Sequence, residues 1–223
     1  MLKGYQQKFI DFLISSEVLS FGDFTTKSGR KTPYFINAGR FDTGEKISTL
    51  GLYYAEHIIS SELAQVDIVF GPAYKGVPLA VVTATRLFQD YQRNVGFAFD
   101  RKELKGHGEK GKFIGAPIKD GSKIVIVEDV ITAGTTAREI VPLLKSQADV
   151  DILGMAIAVD RCEKGADDRS AVQQVQEELG IEVYPLVTVH QIKEYLSTDN
   201  TSGFKLSDEL VANMEQYLAT YGA

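Results

Sequence analysis

KIVIVEDVITAGTTAR, residues 123–138, decides how the rest of the chain is read. It opens on an apolar, β-branched run, Ile124 to Val127, the composition of a strand buried on both faces of a parallel sheet. Two carboxylates follow, Glu128 and Asp129, then the small, hydroxyl-rich Thr132-Ala133-Gly134-Thr135-Thr136, after which residues 137–144 read as helix. Open α/β sheets bind ligands at the carboxyl ends of their strands, where this loop lies. Gly134 lets the backbone approach a ligand closely. Consecutive N–H groups and a helix N-terminus cradle an anion, and the threonine hydroxyls add donors. The acids repel that anion and suit neutral hydroxyls beside it. The stretch therefore suggests a ribose-phosphate site, against the plainer reading of a buried strand and a polar turn.

The same plan recurs upstream. Residues 67–70 form a short apolar strand, Gly71-Pro72-Ala73-Tyr74-Lys75-Gly76 a loop, and residues 77–91 a helix. That loop offers backbone N–H groups and Lys75 to a phosphate, or is a plain strand–helix turn. Residues 95–99 read as another strand and run into RKELKGHGEKGKFIG, residues 101–115. This stretch holds five Lys/Arg and two Glu, a local charge of +3, with glycines throughout. A basic, glycine-rich loop suits closing over a polyanion and releasing it, although a solvated loop has the same composition. Residues 106–112 match G-x-x-x-x-G-K, but Phe113 stands where a P-loop needs a hydroxyl, which rejects a nucleotide triphosphatase.

Downstream, Pro142 inside its helix should remove a backbone bond and kink it. Residues 151–159 form a strand ending in Asp160-Arg161-Cys162, and Arg161 there suits a carboxylate or a surface salt bridge. Helix 170–179, strand 182–189, short helix 190–196 and a closing helix 207–217 come next, the last joined through the candidate linker STDNTSG, residues 197–203. Ser207 is its predicted N-cap. Upstream, residues 4–16 carry the apolar stripe Tyr5, Phe9, Phe12, Leu13, and residues 45–63 the stripe Ile47, Leu50, Tyr54, Ile58. Between them, turn signals at Gly22, Ser28-Gly29, Pro33 and Gly39 predict short antiparallel strands forming a cap. Lys27, Arg30 and Lys31 crowd its tip beside Tyr34-Phe35, a solvated hairpin or a clamp for a planar anion. His57 and His190 read as structural, and Cys162 as incidental.

Composition bounds the class. The chain has 223 residues, 44% hydrophobic and 24% charged, with a net charge of −6. That charge disfavours nucleic-acid binding, and no apolar run approaches the ~20 residues of a membrane span. One cysteine permits no intrachain disulfide, and the first residues lack a signal peptide's apolar core, so a cytoplasmic location is expected.

Residues 123–138 resemble the PRPP-binding motif of type I phosphoribosyltransferases. KSGRKTPYF (residues 27–35) and RKELKGHGEKG (residues 101–111) resemble signatures of the orotate phosphoribosyltransferases within that group. The resemblance spans residues 21–161. It implies a parallel sheet flanked by helices with an antiparallel N-terminal hood: about residues 1–44 for helix and hood, 45–196 for the α/β core and 204–220 for a C-terminal helix. It implies that Glu128 and Asp129 hold the ribose hydroxyls, that Thr132, Ala133, Gly134, Thr135 and Thr136 hold the 5′-phosphate, and that Val130 and Ile131 between them belong to the same PRPP-binding stretch. Tyr74, Lys75, Arg101, Lys102, Lys105 and His107 would grip the phosphates of PRPP. Lys27, Phe35, Ile36, Thr132 and Arg161 would set orotate, Lys27 reaching PRPP as well, and Ile36, where the family has a second aromatic, acting through its backbone. Lys102, Lys105, His107 and Asp129 are the implied catalytic residues. The resemblance also implies a homodimer whose 101–115 loop serves the neighbouring site, and magnesium carried by substrate oxygens without a dedicated protein cluster. The implied reaction joins orotate to PRPP in pyrimidine biosynthesis. A transferase for another base, or a PRPP-sensing regulator on the same fold, are the alternatives.

Overall fold

The computed structural model describes residues 2–26, 29–102, 111–131, 134–165 and 167–223. Chain order begins with α1 (Gly4–Ser15), β1 (Leu19–Thr25), β2 (Lys31–Ile36), α2 (Gly44–Ile59), β3 (Ile68–Phe70), α3 (Gly76–Tyr91), β4 (Gly96–Asp100) and β5 (Phe113–Gly115). It continues with β6 (Lys123–Val130), α4 (Thr135–Gln147), β7 (Asp151–Asp160), α5 (Ala171–Leu179), β8 (Val183–Thr188), α6 (Val189–Ser197) and α7 (Asp208–Tyr221). Strands β1 and β2 pair antiparallel as a separate two-stranded sheet. The other six form one sheet in the order β5-β4-β3-β6-β7-β8, parallel except for the β5 edge. The predicted α/β fold with an antiparallel hood is the fold observed.

Ile124, Val125, Ile126 and Val127 are all fully buried, because helices cover both faces of the sheet. Successive strand residues point to opposite faces. Val125 and Val127 join one core with Val69, Leu79 of α3, Tyr54 of α2, Phe9 of α1 and Met214 of α7. Ile124 and Ile126 join the other with Phe70, Ile140 of α4 and Val175 of α5. Helix α3 leaves β3 toward β4 while α4 leaves β6 toward β7, on opposite faces. The direction of winding thus reverses between the adjacent strands β3 and β6, and that reversal opens a crevice at their carboxyl ends.

Several details depart from the sequence reading. The strand at β6 extends through both acids to Val130, since Glu128 pairs with Ile157 and Val130 with Val159 of β7. Strand β5 has no counterpart in that reading. Helix α4 runs on through Pro142. In α1, Ile10 is fully buried while Phe12 is half-buried. The segment between α6 and α7 is tethered, with Thr201 donating to Asp11 and Leu206 N–H to the Leu196 carbonyl. Ser207 caps α7 as expected, accepting from the Leu210 N–H.

Candidate active site

The two acids end the central strand β6 in different surroundings. Glu128 is 9% exposed. Its backbone carbonyl accepts the buried Tyr54 hydroxyl at 2.6 Å. Burial, and then the negative charge of Asp129, push the Glu128 carboxyl up to about 7. Asp129 Oδ1 accepts its neighbour's N–H from Val130 at 2.9 Å, and Oδ2 lies 2.9 Å from Lys75 Nζ. One acid close to neutrality beside one already paired suits a diol, whose hydroxyls both donate and accept.

Gly134 stands at the N-terminus of α4 with φ +70°, a left-handed conformation. A Cβ there would fall 2.7 Å from Val175 Cγ2, so the position needs glycine for both space and backbone. Gly134, Thr135 and Thr136 line a small cleft with Glu128, Val130 and Ile131. The N–H groups of the first helical turn have no carbonyls within the helix, which equips this end for an anion. Thr132 and Ala133 lie outside the described residues.

Across the crevice, Gly71 follows β3. A Cβ on it would meet the Gly76 carbonyl oxygen at 1.9 Å, which folds the loop back tightly on itself. The Gly71 N–H donates to the Ala98 carbonyl, and the Ala73 N–H donates to Asp100 Oδ1 at 2.6 Å. The Ala73–Tyr74 peptide is cis. Tyr74 is 76% exposed, and Lys75 extends to Asp129. Sequence reasoning missed Asp100, a buried acid at the end of β4 that anchors this loop. Its position at a strand's carboxyl end was the available signal.

Asp100 also faces the basic loop, since Lys102 Nζ lies 3.5 Å from its Oδ2 and 3.8 Å from Glu139. The strands that flank this loop in sequence pair with each other: Asp100 of β4 pairs with Phe113 of β5, and the Arg101 N–H donates to the Lys112 carbonyl. Lys105 and His107 lie outside the described residues.

In the hood, Phe35 is 40% exposed and stacks on Phe24 with ring centroids 5.5 Å apart. Its neighbour Ile36 packs into the core, on the opposite face of β2. Lys27 lies outside the described residues. Arg30 donates to the Lys164 carbonyl, tying the hood to the end of β7. There Arg161 is 16% exposed, donates Nε and Nη2 to Glu163 and lies over the Tyr34 ring. Glu163 was likewise missed. A separate cleft of about 530 Å³ lies against Ile14, Leu19, Phe21, Arg40 and Phe204, and of the predicted site residues only Phe35 lines it. Among the described residues no group of three or more acids, histidines or cysteines could hold a metal ion. Among the same residues no helix is long and apolar enough to cross a membrane.

The phosphoribosyl transferase domain family matches residues 53–188. An orotate phosphoribosyltransferase of Bifidobacterium animalis subsp. lactis is 47% identical over the whole of both chains. One from Clostridium beijerinckii is 44% identical, also over the whole of both. A crystal structure of the Francisella tularensis orotate phosphoribosyltransferase superposes with a TM-score of 0.85 at 38% identity, covering 97% of this chain and all of that one.

Proposed function

The chain belongs to the orotate phosphoribosyltransferase family, and from that premise we propose how its residues carry out the reaction. The enzyme transfers the 5-phosphoribosyl group from PRPP to N1 of orotate, giving orotidine 5′-monophosphate and pyrophosphate in pyrimidine biosynthesis. Relatives 42–47% identical that carry this one activity leave no support for another base or for a regulator.

The observation that carries the assignment of residues is the crevice. Lys75 and Asp129 face each other across it, with the Gly134–Thr135–Thr136 cradle on the same strand end. In this reading the cradle, with Thr132 and Ala133, holds the 5′-phosphate, Glu128 and Asp129 hold the ribose hydroxyls, and Val130 and Ile131 line the PRPP site between them. Asp129 also favours the positive charge that develops at C1′ as the bond to pyrophosphate breaks. Tyr74, Lys75, Arg101, Lys102, Lys105 and His107 draw off the pyrophosphate charge, and a protonated group of the 101–115 loop supplies the general acid. Lys27, which also reaches PRPP, sets the base with Phe35, Thr132 and the backbone of Ile36, and Arg161 takes its carboxylate.

The hard carboxylate oxygens of Glu128 and Asp129 at the crevice suit magnesium carried largely by substrate oxygens. When bound, that ion supplies charge neutralisation on the pyrophosphate. The working unit in this reading is a homodimer in which the 101–115 loop reaches the neighbouring site. Exposed Phe88 and Phe97, around the β3–α3–β4 unit, supply apolar surface for such a contact. The expected compartment is the cytoplasm.

The test is PRPP-dependent consumption of orotate, with and without magnesium, beside a panel of purines and pyrimidines. Magnesium-dependent turnover of orotate alone is expected. Turnover of a different base would discard the roles given to Lys27, Phe35 and Arg161.

A further inference from the structure

The Arg161 guanidinium is fixed from two directions. Nε and Nη2 donate to Glu163 Oε1 at 2.9 and 2.5 Å, and the Tyr34 ring lies 4.4 Å from the guanidinium carbon. The same Glu163 oxygen accepts the Tyr34 hydroxyl at 2.9 Å. Tyr34 in turn meets Tyr217 of α7 edge to face, at 5.8 Å.

Glu163 is itself held firmly. Its side chain is 15% exposed and its second oxygen lies 3.9 Å from Arg30 Nη1. Its backbone bridges to Gly222, the Lys164 N–H donates to the Tyr221 carbonyl, and the Ala223 N–H donates to the Cys162 carbonyl. Arg30 lies 5.0 Å over the Tyr221 ring. Thus the hood and the segment after β7 converge on one carboxylate, and the C-terminal end of α7 packs against the backbone that carries it.

A guanidinium has two forks, one along its side (Nε and one Nη) and one at its end (both Nη). Glu163 occupies the side fork. Nη1 makes no hydrogen bond among the described residues, so the end fork keeps donors for a second carboxylate. Charge points the same way. Arg30 and Arg161 face Glu163 as two cations against one anion, so Glu163 does not by itself neutralise both guanidinium groups.

Given the role of Arg161 at the carboxylate of the base, on which this inference rests, we propose that Glu163 is a positioning residue for base recognition. It locks Arg161 by the side fork, with Tyr34 beneath, and presents the end fork ready-oriented to the carboxylate of orotate. Orienting the arginine before binding removes the cost of freezing a long side chain when the base arrives. This makes Glu163 a determinant of orotate affinity without contact with PRPP.

The experiment measures KM for both substrates in the full-length enzyme. Glu163→Gln keeps the shape and an acceptor oxygen but loses the charge that strengthens the fork. Its KM for orotate should rise on the order of tenfold while its KM for PRPP stays within about twofold, a charge-assisted hydrogen bond being at stake. Glu163→Ala should do the same more strongly. In an Arg161→Ala background, Glu163→Gln should add nothing to the loss of orotate affinity, since both changes remove one unit. An unchanged or lowered KM for orotate, an equal rise for both substrates, or additive losses with Arg161→Ala would each overturn the proposal. If Arg161→Ala alone fails to weaken orotate selectively, the assignment of Arg161 has failed instead.

Discussion

Lys75 Nζ lies 2.9 Å from Asp129 Oδ2, joining residues 54 apart in sequence across the crevice between β3 and β6. The pair is unequal, the lysine side chain 71% exposed and the aspartate 13%. A pair so open to water contributes at most about 1 kcal/mol. In the proposed reading a ribose hydroxyl takes Asp129 while Lys75 swings to the pyrophosphate, an exchange that so weak a pair opposes little. Lys75→Ala should raise KM for PRPP on the order of tenfold, with a melting temperature close to wild type. A normal KM for PRPP would reduce Lys75 to a counter-ion.

Glu128 should make the enzyme pH-dependent in a particular direction. Its carboxyl titrates at about 7 in the fold against 4.5 ordinarily, so between those values the folded state holds the proton that the unfolded state has lost. Its stabilising contribution is full below pH 4.5 and is lost as pH rises through 7. The loss is at most on the order of 3 kcal/mol. Glu128→Gln carries no such loss, so its stability relative to wild type should climb across that window in chemical denaturation. A constant difference would mean that the acid is already ionised throughout.

His57 titrates in the opposite sense. Buried between the Tyr5 hydroxyl and the Tyr184 carbonyl, it is pushed down to about 4 from 6.5, chiefly by burial. The unfolded chain then binds a proton that the folded one refuses. Stability tied to His57 is present above pH 6.5 and lost as pH falls through 4, by about 3 kcal/mol. His57→Gln should shrink the acid loss measured by denaturation between these limits. An acid limb identical to wild type would place the loss elsewhere.

Gly134→Ala should injure the phosphate cradle locally. The substitution meets Val175 and forces an alanine to φ +70°, a cost of roughly 1–2 kcal/mol before the clash is counted. KM for PRPP should rise more than KM for orotate. Equal effects on both would indicate general loosening of α4.

The shared-site reading of the 101–115 loop is open to complementation. Lys105→Ala and Asp129→Asn subunits are each expected to be nearly inactive alone. Mixed and re-associated in equal amounts, they should recover about a quarter of wild-type activity, because half the dimers are mixed and each carries one intact site. Recovery no greater than the sum of the separate variants would leave each loop serving its own subunit.

Local features are legible in the sequence. Continuous apolar runs mark the buried strands β3, β6 and β7, and the acids and glycine of residues 128–134 mark the strand-end site. What escapes depends on partners distant in the chain. Strand β5 is three residues long and exists by pairing with β4. The end of β6 is fixed by β7, so no local signal separates Val127 from Val130. Asp100 looks like any strand-end acid until the Ala73 N–H is brought to it. In sequence Arg161 reads as a partner for a carboxylate or as one half of a salt bridge, and only the fold identifies that salt-bridge partner as Glu163, which holds one side of the guanidinium.

The hood and the acid pair that ends β6 are hydrogen-bonded into different sheets. One rests on a two-stranded ribbon steadied by side chains such as Arg30, the other on the central strand of a six-stranded frame. In the proposed reading the base is contacted from both, by Lys27 and Phe35 of the hood and by Thr132 and Arg161 beyond the ends of core strands, so evolving the enzyme toward altered pyrimidines calls for coordinated changes in two sheets.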